Sequence, residues 1–138
     1  MPETIDVSFP GGQRVDARIR EFLIHTDQSR EHGGDQSAPQ PYDLFLTSIA
    51  TCAGIFALKF CQSRHLATDG MRLRMEWEPN PSDPAASRLI LSLTLPPDFP
   101  ERYQSSILKA MDLCAVKRTI ETPPQFETRI ARGDTEPV

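Results

Sequence analysis

Positive charge, cysteine and long apolar runs are all scarce in this chain of 138 residues. The 19 acidic residues outnumber the 15 basic ones, which gives a net charge of −4, and the basic residues are scattered rather than clustered. We therefore expect no nucleic-acid partner and no anionic-membrane partner. The opening residues, MPETIDVSF, contain no basic stretch followed by an apolar run, so we expect no signal peptide and a cytoplasmic protein.

The chain has three cysteines, an odd number, and they form no Cys-x-x-Cys pair. A structural disulfide framework is therefore not expected, and the three histidines show no metal-ligand spacing with the cysteines. Phosphate-cradling glycine motifs and a Gly-x-Ser-x-Gly elbow are also absent, so we predict no metal and no cofactor. The charged and apolar fractions are those of a globular protein, and the length suits a single domain over residues 1–138.

One apolar stretch stands out, APQPYDLFLTSIATCAGIFALKFC, with a cysteine near its middle. Pro41 favours a helix start just after it, and we predict a helix from Tyr42 to Arg64. The segment Leu44–Cys61 is long enough to raise the question of a membrane span. Lys59 lies inside it, however, hydroxyl side chains are spread along it, and no second apolar segment exists, so we expect the core helix of a soluble protein.

Alternation of apolar and polar residues predicts strands on both sides of this helix. IDVSF and RVDARIREFLIHT form an N-terminal hairpin, in which the apolar phase flips near Arg20–Glu21 and indicates a bulge or a twist. GMRLRMEWEP and SRLILSLTLP form a second hairpin. A second helix is predicted from Glu101 to Cys114, then a short helical turn over Ala115–Ile120 and a final strand, QFETRI. The order β-β-α-β-β-α-β describes an α+β domain with a mostly antiparallel sheet and two helices.

The cysteines admit more than one interpretation. Cys52 and Cys61 are nine residues apart on one helix, which places them on opposite faces. A disulfide within the chain would therefore have to use Cys114, and the small residues that flank Cys52 would let another helix approach closely. Alternatively, all three thiols are buried packing residues, as free cysteines often are.

Two segments carry a resemblance to a known family. They are GGDQSAPQPYDLFLTSIATCAG and ILKAMDLCAVKRTIETPP, each centred on a cysteine. From about Asp27 to Pro124 the chain resembles the OsmC/Ohr family of osmotically inducible and organic hydroperoxide resistance proteins, in its OsmC-like branch. The order of helices and strands predicted above is also the order found in that family.

The resemblance implies a chemistry for the two matched thiols. Cys52 would attack a peroxide oxygen and become a sulfenic acid, and Cys114 would condense with it to form a disulfide. An outside dithiol, of lipoyl type, would then reduce the disulfide. The resemblance also implies an intertwined homodimer, with the long helices at its centre and the active sites at the subunit interface. Cys61 matches neither role and is interpreted as a packing residue.

The chain departs from the family pattern near the expected thiolate support. Tyr42 stands where Ohr-type members carry a glutamate that is paired with an arginine, and the acid comes one residue later, at Asp43. Asp43 could orient an arginine or could favour the helix N-terminus. Arg14 is the arginine nearest to the family position; other candidates are Arg18, Arg20 and Arg30. The polar loop from Asp27 to Pro41 could cover the site as a lid or could be a plain connector.

An apolar environment around Cys52 suits a hydrophobic alkyl or fatty-acyl hydroperoxide better than hydrogen peroxide. The residues expected to line such a pocket, or else simply to fill the core, are Phe45, Ile49, Phe56 and Met111. The leading hypothesis is a thiol-dependent peroxidase that reduces organic hydroperoxides. Two alternatives are a dimeric binding protein for a small apolar ligand and a thiol redox sensor whose disulfide is the output.

Overall fold

Residues 3–133 are described in a computed structural model, which has a mixed α+β architecture. The strands form two small antiparallel sheets, and helices pack on one of them, which confirms the predicted fold class. The helices and strands are β1 (Ile5–Gly11), β2 (Arg14–Ile19), β3 (Phe22–Thr26), α1 (Pro41–Ser63), β4 (Arg72–Glu78), β5 (Arg88–Thr94), α2 (Gln104–Met111) and α3 (Ala115–Glu121).

The N-terminal sheet has three strands in the order β1-β2-β3, one more than predicted. The prediction of a bulge near Arg20–Glu21 was wrong, because these residues form a two-residue turn between β2 and β3. Arg20 has a φ of 52° there, and Ile19 pairs directly with Phe22. The reversal of the chain explains the flip of apolar phase. An irregularity of register does occur, but between Ser8 and Gly11, where β1 turns into β2.

Helix α1 begins and ends within one residue of its predicted limits. Pro41 occupies its first turn, where a missing backbone N–H costs nothing. The Asp43 carboxylate, three residues after the helix cap, accepts a hydrogen bond from the Gln40 backbone N–H at 2.9 Å. At the other end, Arg64 leaves the helical conformation and His65 has a φ of 54°, which terminates the helix.

Strands β4 and β5 pair in an unbroken antiparallel register from Arg72–Thr94 to Glu78–Arg88. Their apolar residues face α1, whose small residues allow close packing: a Cβ atom on Gly54 would lie 3.7 Å from Leu73. Helix α2 completes this layer against α1. The fully or nearly fully buried core consists of Ala53, Ala57, Phe60, Cys61, Ile107 and Met111.

The C-terminal half of the prediction needs two corrections. The second helix is shorter than Glu101–Cys114: a 3₁₀ turn covers Glu101–Tyr103, α2 ends at Met111, and Cys114 lies in the turn before α3. The helical turn over Ala115–Ile120 is present as α3. The predicted strand at residues 125–130 is not formed, because within residues 3–133 no strand pairs with it. Its side chains are among the most exposed, with Phe126 90% and Ile130 92% exposed.

Much apolar surface is left uncovered in the single chain. Every residue of β1 is exposed, and Phe9 is 79% exposed. Helix α1 is long and apolar enough to cross a membrane by length and composition alone, a test that core helices of soluble proteins also pass. Only 28% of its apolar window is buried. The single-domain prediction over residues 1–138 stays a prediction.

Candidate functional site

Cys52 and Cys114 lie together where α1 passes the turn between α2 and α3. Cys52 is in the middle of α1 and is partly exposed, whereas Cys114 is 1% exposed. The two thiols are free and hydrogen-bond to each other. Residues 62 positions apart in sequence are thus brought together by the packing of α1 against α2 and α3. Cys114 directly precedes α3 and is its N-cap residue, so the thiol pair lies at the N-terminus of that helix.

The surroundings of the Cys52 thiol lower its pKa. Burial is the largest single influence on its pKa and raises it. The hydrogen bond from the Cys114 thiol and those from the backbone N–H groups of Val116 and Ala115 outweigh burial, so the net pKa lies below the ordinary value for a thiol. The first N–H groups of a helix have no carbonyl partner within the helix, and here two of them donate hydrogen bonds to the Cys52 sulfur.

The neighbouring thiol is shifted the other way. Burial raises the pKa of Cys114, and its hydrogen bond to Cys52 raises it further, against the smaller effect of the N–H groups of Lys117 and Val116. Of the two thiols, Cys52 therefore loses its proton more readily, and Cys114 keeps its proton in the hydrogen bond between them. A nucleophile and a second, protonated thiol within hydrogen-bond reach are the two groups that sulfenate formation and resolution require.

Cys61 takes no part in this pair. It is fully buried on the opposite face of α1, and its sulfur lies 3.9 Å from the sulfur of Met71. Burial raises the pKa of its thiol. A buried thiol with a raised pKa in an apolar contact is typical of a packing residue.

Arg14 is held in a polar cluster at the start of the loop that precedes α1. Its guanidinium lies 2.7 Å from the carboxylate of Asp35, 3.3 Å from the hydroxyl of Ser37 and 4.0 Å from the carboxylate of Asp27. Within residues 3–133 of one chain, no arginine contributes to the pKa shift of Cys52. Of the other candidates, Arg20 pairs with Glu3 at 2.6 Å.

The loop is built around the fully buried carboxylate of Asp27. The Ser37 hydroxyl donates a hydrogen bond to this carboxylate at 2.6 Å and lowers its pKa most. The backbone N–H groups of Ser37 and Gln28 and the charge of Arg14 lower the pKa further, whereas burial raises it. The net result is a pKa of about 2 for Asp27. Gly34 fits tightly here, since a Cβ atom would lie 2.1 Å from the Gln28 carbonyl oxygen. These contacts favour a fixed connector over a moving lid.

The predicted partners at the start of α1 lie apart from the thiols. The Asp43 carboxylate is engaged in capping the helix. Tyr42 is 53% exposed and packs loosely on Phe45 and Trp77, with ring centroids 5.5 and 6.5 Å apart. Nine or ten residues of helix place both side chains about 14 Å from Cys52 along the axis. Within one chain, therefore, neither side chain is placed beside the Cys52 sulfur.

An apolar cleft of about 510 Å³ opens beside the thiol pair, with Cys114 in its wall. Of the four predicted pocket residues, Ile49 and Met111 line it, whereas Phe45 and Phe56 do not. The other lining residues are Ala53, Leu89, Leu91, Leu108, Asp112, Lys117, Ile120 and Glu121. In residues 3–133, no three His, Cys, Asp or Glu side chains converge on a metal site.

Two features of the site were missed in the sequence. The N–H groups of Ala115 and Val116 were not expected as thiolate donors; the available signal was a cysteine directly before a short helical pattern. The charges at the cleft were also missed. Lys117 and Glu121 are four residues apart in a helical segment, a spacing that places two side chains on one face.

Comparison with known proteins identifies the family and supports the fold. A family model described as OsmC-like protein matches residues 33–129. Three solved structures are similar in fold. A protein from Psychrobacter arcticus described as an osmotic stress induced and detoxification response protein has a TM-score of 0.70 at 20% identity, over 86% of this chain and 88% of that one. An OsmC-like protein from Mycoplasma pneumoniae has a TM-score of 0.68 at 13% identity, over 89% of both chains.

The third structure is an organic hydroperoxide resistance protein OsmC from Legionella pneumophila, also described as a predicted redox protein and regulator of sulfide bond formation. It has a TM-score of 0.57 at 16% identity, over 87% of this chain and 89% of that one. At these identities the structures establish the fold alone. No curated protein matches the sequence.

Proposed function

Because the chain belongs to the OsmC-like protein family, for which a peroxidase-like or redox role is supported, we propose that it is a Cys-based reductase of organic hydroperoxides in oxidative stress defence. One observation carries the proposal: Cys52 has a lowered pKa and hydrogen-bonds to a second thiol, Cys114, whose pKa is raised. A packing cysteine has no need of a stabilised thiolate, whereas a nucleophile does.

The proposed reaction has three steps. The Cys52 thiolate attacks the terminal oxygen of the hydroperoxide; the O–O bond breaks, the alkoxide leaves and takes a proton, and Cys52 becomes a sulfenic acid. Cys114 then attacks the Cys52 sulfur, and the hydroxyl leaves as water as the disulfide forms. Finally an external dithiol, which we expect to be of lipoyl type, reduces the disulfide by exchange and is itself oxidised to a disulfide.

The cleft supports an organic rather than an inorganic peroxide. Its apolar walls, including Ile49 and Met111, give an alkyl chain more burial than hydrogen peroxide could use. Cys114 lines the cleft and hydrogen-bonds to Cys52, which does not line it; this supports an alkyl chain bound near the thiol pair. Phe45 and Phe56, which lie on α1 outside this cleft, would reach a substrate only in a different or larger pocket.

We also propose that the active protein is a homodimer in the cytoplasm. The exposed apolar faces of β1 and α1, with Ile55 41% exposed and Val7 52% exposed, need a cover that the single chain does not supply. A second copy would bring its own Arg14, Tyr42 and Asp43 to the interface. Arg14 could then support the thiolate across the interface, on top of the backbone donors within the chain. Light scattering that gave a stable monomer at micromolar concentration would rule this out.

The second candidate function is that of a binding protein, and the observation that favours it is the apolar cleft. A cleft of this volume can hold a small apolar molecule without chemistry. In that case the thiols would play no part in the function, and peroxide would leave them intact. A redox sensor would lose both thiols but would not cycle.

The test counts free thiols before and after one equivalent of cumene hydroperoxide, and then measures turnover with a dithiol present. Wild type should lose two thiols per chain rapidly and consume peroxide repeatedly. Cys52→Ser should consume none, Cys114→Ser should be oxidised once and stop, and Cys61→Ser should turn over like wild type. Peroxide consumption by Cys52→Ser at the wild-type rate would end the proposal; no thiol loss in wild type would favour the binding protein.

A further inference from the structure

The cleft beside the thiols is apolar inside but carries three charged side chains. Asp112 follows α2, and Lys117 and Glu121 lie one turn apart on α3. The Lys117 ammonium is 2.7 Å from the Asp112 carboxylate and 4.0 Å from the Glu121 carboxylate. Among the residues described, these three are the charged groups that line the cleft, so its net charge is −1.

Lys117, the one cation among the described residues that line the cleft, is already paired with both carboxylates. Its hydrogen bond to Asp112 raises the pKa of Lys117, and the charges of both carboxylates add to this against the effect of partial burial. An incoming carboxylate near Lys117 would meet two like charges, and it could pair with Lys117 only by displacing one of them. An uncharged chain, in contrast, would contact the apolar residues of the cleft, of which Leu108 and Ile120 are about half exposed.

We infer that this cleft selects uncharged apolar molecules over those with a free carboxylate, with Asp112 and Glu121 as the residues that set the selection. If the proposed function holds, on which this assignment of the ligand as a substrate rests, the preferred substrates are neutral alkyl hydroperoxides and esterified lipid hydroperoxides. Free fatty-acid hydroperoxides are then poor substrates, although their chains are equally apolar.

A binding experiment tests the selection without any peroxide. The reduced protein is titrated with a fluorescent polyene fatty acid and with its methyl ester, and the ratio of the two dissociation constants, acid over ester, is measured. In Asp112→Asn/Glu121→Gln this ratio should fall about fivefold below that of wild type, since each exposed charge pair is worth up to about a factor of five. The matched control, Glu76→Gln/Asp98→Asn, removes two exposed carboxylates that do not line the cleft and should leave the ratio unchanged.

A third variant separates repulsion by the carboxylates from recruitment by the lysine. Lys117→Met keeps the apolar stem and leaves two unopposed acids, so the acid-to-ester ratio should rise. For wild type itself, raising salt from about 20 mM to about 500 mM should lower the ratio, because exposed charges are screened over a shorter distance. This measurement needs no mutation and so does not depend on how a variant folds.

Three results would overturn the inference: an unchanged ratio in Asp112→Asn/Glu121→Gln, a lower ratio in Lys117→Met, or no binding of the ester to wild type, as when a second copy fills the cleft. The outcome is independent of catalysis. Selection in binding with no peroxide turnover would refute the proposed function and leave this inference standing. Turnover of cumene hydroperoxide without selection between the acid and the ester would support the proposed function and refute this inference.

Discussion

The reactivity of Cys52 can be changed through the backbone of α3 alone, without altering any side chain that contacts the Cys52 sulfur. Ala115 is the first residue of α3, and its N–H donates to the Cys52 sulfur. Proline is tolerated at this helix position, and it has no N–H. The residue before a proline must be extended, and Cys114 already is, with φ −50° and ψ 125°. Ala115→Pro should therefore keep α3 and delete one of the two backbone donors.

The expected effect can be estimated from the bond that is lost. A hydrogen bond to a charged acceptor contributes about 1.5 kcal/mol at the lower end of its range, which suits a partly exposed sulfur. That energy corresponds to about a tenfold change in the thiolate equilibrium. The pKa of Cys52 should rise, and below that pKa the rate of reaction with an alkyl hydroperoxide or an alkylating agent should fall about tenfold.

The measurement is a pH series of the reaction rate, with thiolate absorbance as an independent titration. Ala115→Ser is the matched control, since it changes the side chain and keeps the N–H, and it should react like wild type. At high pH, where Cys52 is ionised in every variant, the rates of Ala115→Pro and wild type should converge. If Ala115→Pro gave the same pH profile as Ala115→Ser, the α3 N-terminus would not be what stabilises the thiolate.

Three further predictions concern the framework. Asp27, with its pKa lowered to about 2, should contribute stability that is fully present above its ordinary value of 3.8 and is lost as the pH falls through about 2; denaturant unfolding at a series of acid pH values should show this slope, and Asp27→Asn should remove it. Gly34→Ala should lower the free energy of unfolding by about 2 kcal/mol, measured with denaturant, because the added methyl would overlap the Gln28 carbonyl. The control Gly54→Ala, where the added methyl would lie at an ordinary contact distance of 3.7 Å from Leu73 within helix α1, should not lower it. Cys61→Ser should unfold at a lower temperature than Cys61→Ala, since a hydroxyl would be buried beside Met71, and an equal or higher melting temperature would contradict this.

Local patterns in the sequence were sufficient for the elements that pack on their own chain. Helix α1 is specified by Pro41 and Asp43 at one end and by a buried apolar face along its length. Strand β4 is specified by strict alternation of apolar and polar residues, and β5 by an alternation that only Ile90 interrupts. The turn at Arg20–Glu21 was misread because it contains neither glycine nor asparagine, the usual residues of a two-residue hairpin turn. The segment at residues 125–130 has a strand pattern, but the pattern does not say which strand is to pair with it.

The site was predictable in part. The proximity of Cys52 and Cys114 was anticipated through resemblance, and Ile49 and Met111 at the cleft through their apolar positions on helices. The source of the thiolate stabilisation was not predicted, because backbone N–H groups carry no residue signature. The expected role of Arg14 remains a proposal, since its contacts within the chain are to Asp35, Ser37 and Asp27.

The uncovered face of β1 links the stability of the fold to the protein concentration. Apolar side chains such as Phe9 gain nothing from folding while they face water, so the N-terminal sheet is stabilised by little more than its own ladder. If a second copy covers that face, folding and association become one equilibrium, and the melting temperature rises with protein concentration. A dilute sample would then lose its structure and its chemistry together, and the number of copies in the cell, as well as the sequence, would determine whether the thiol pair works.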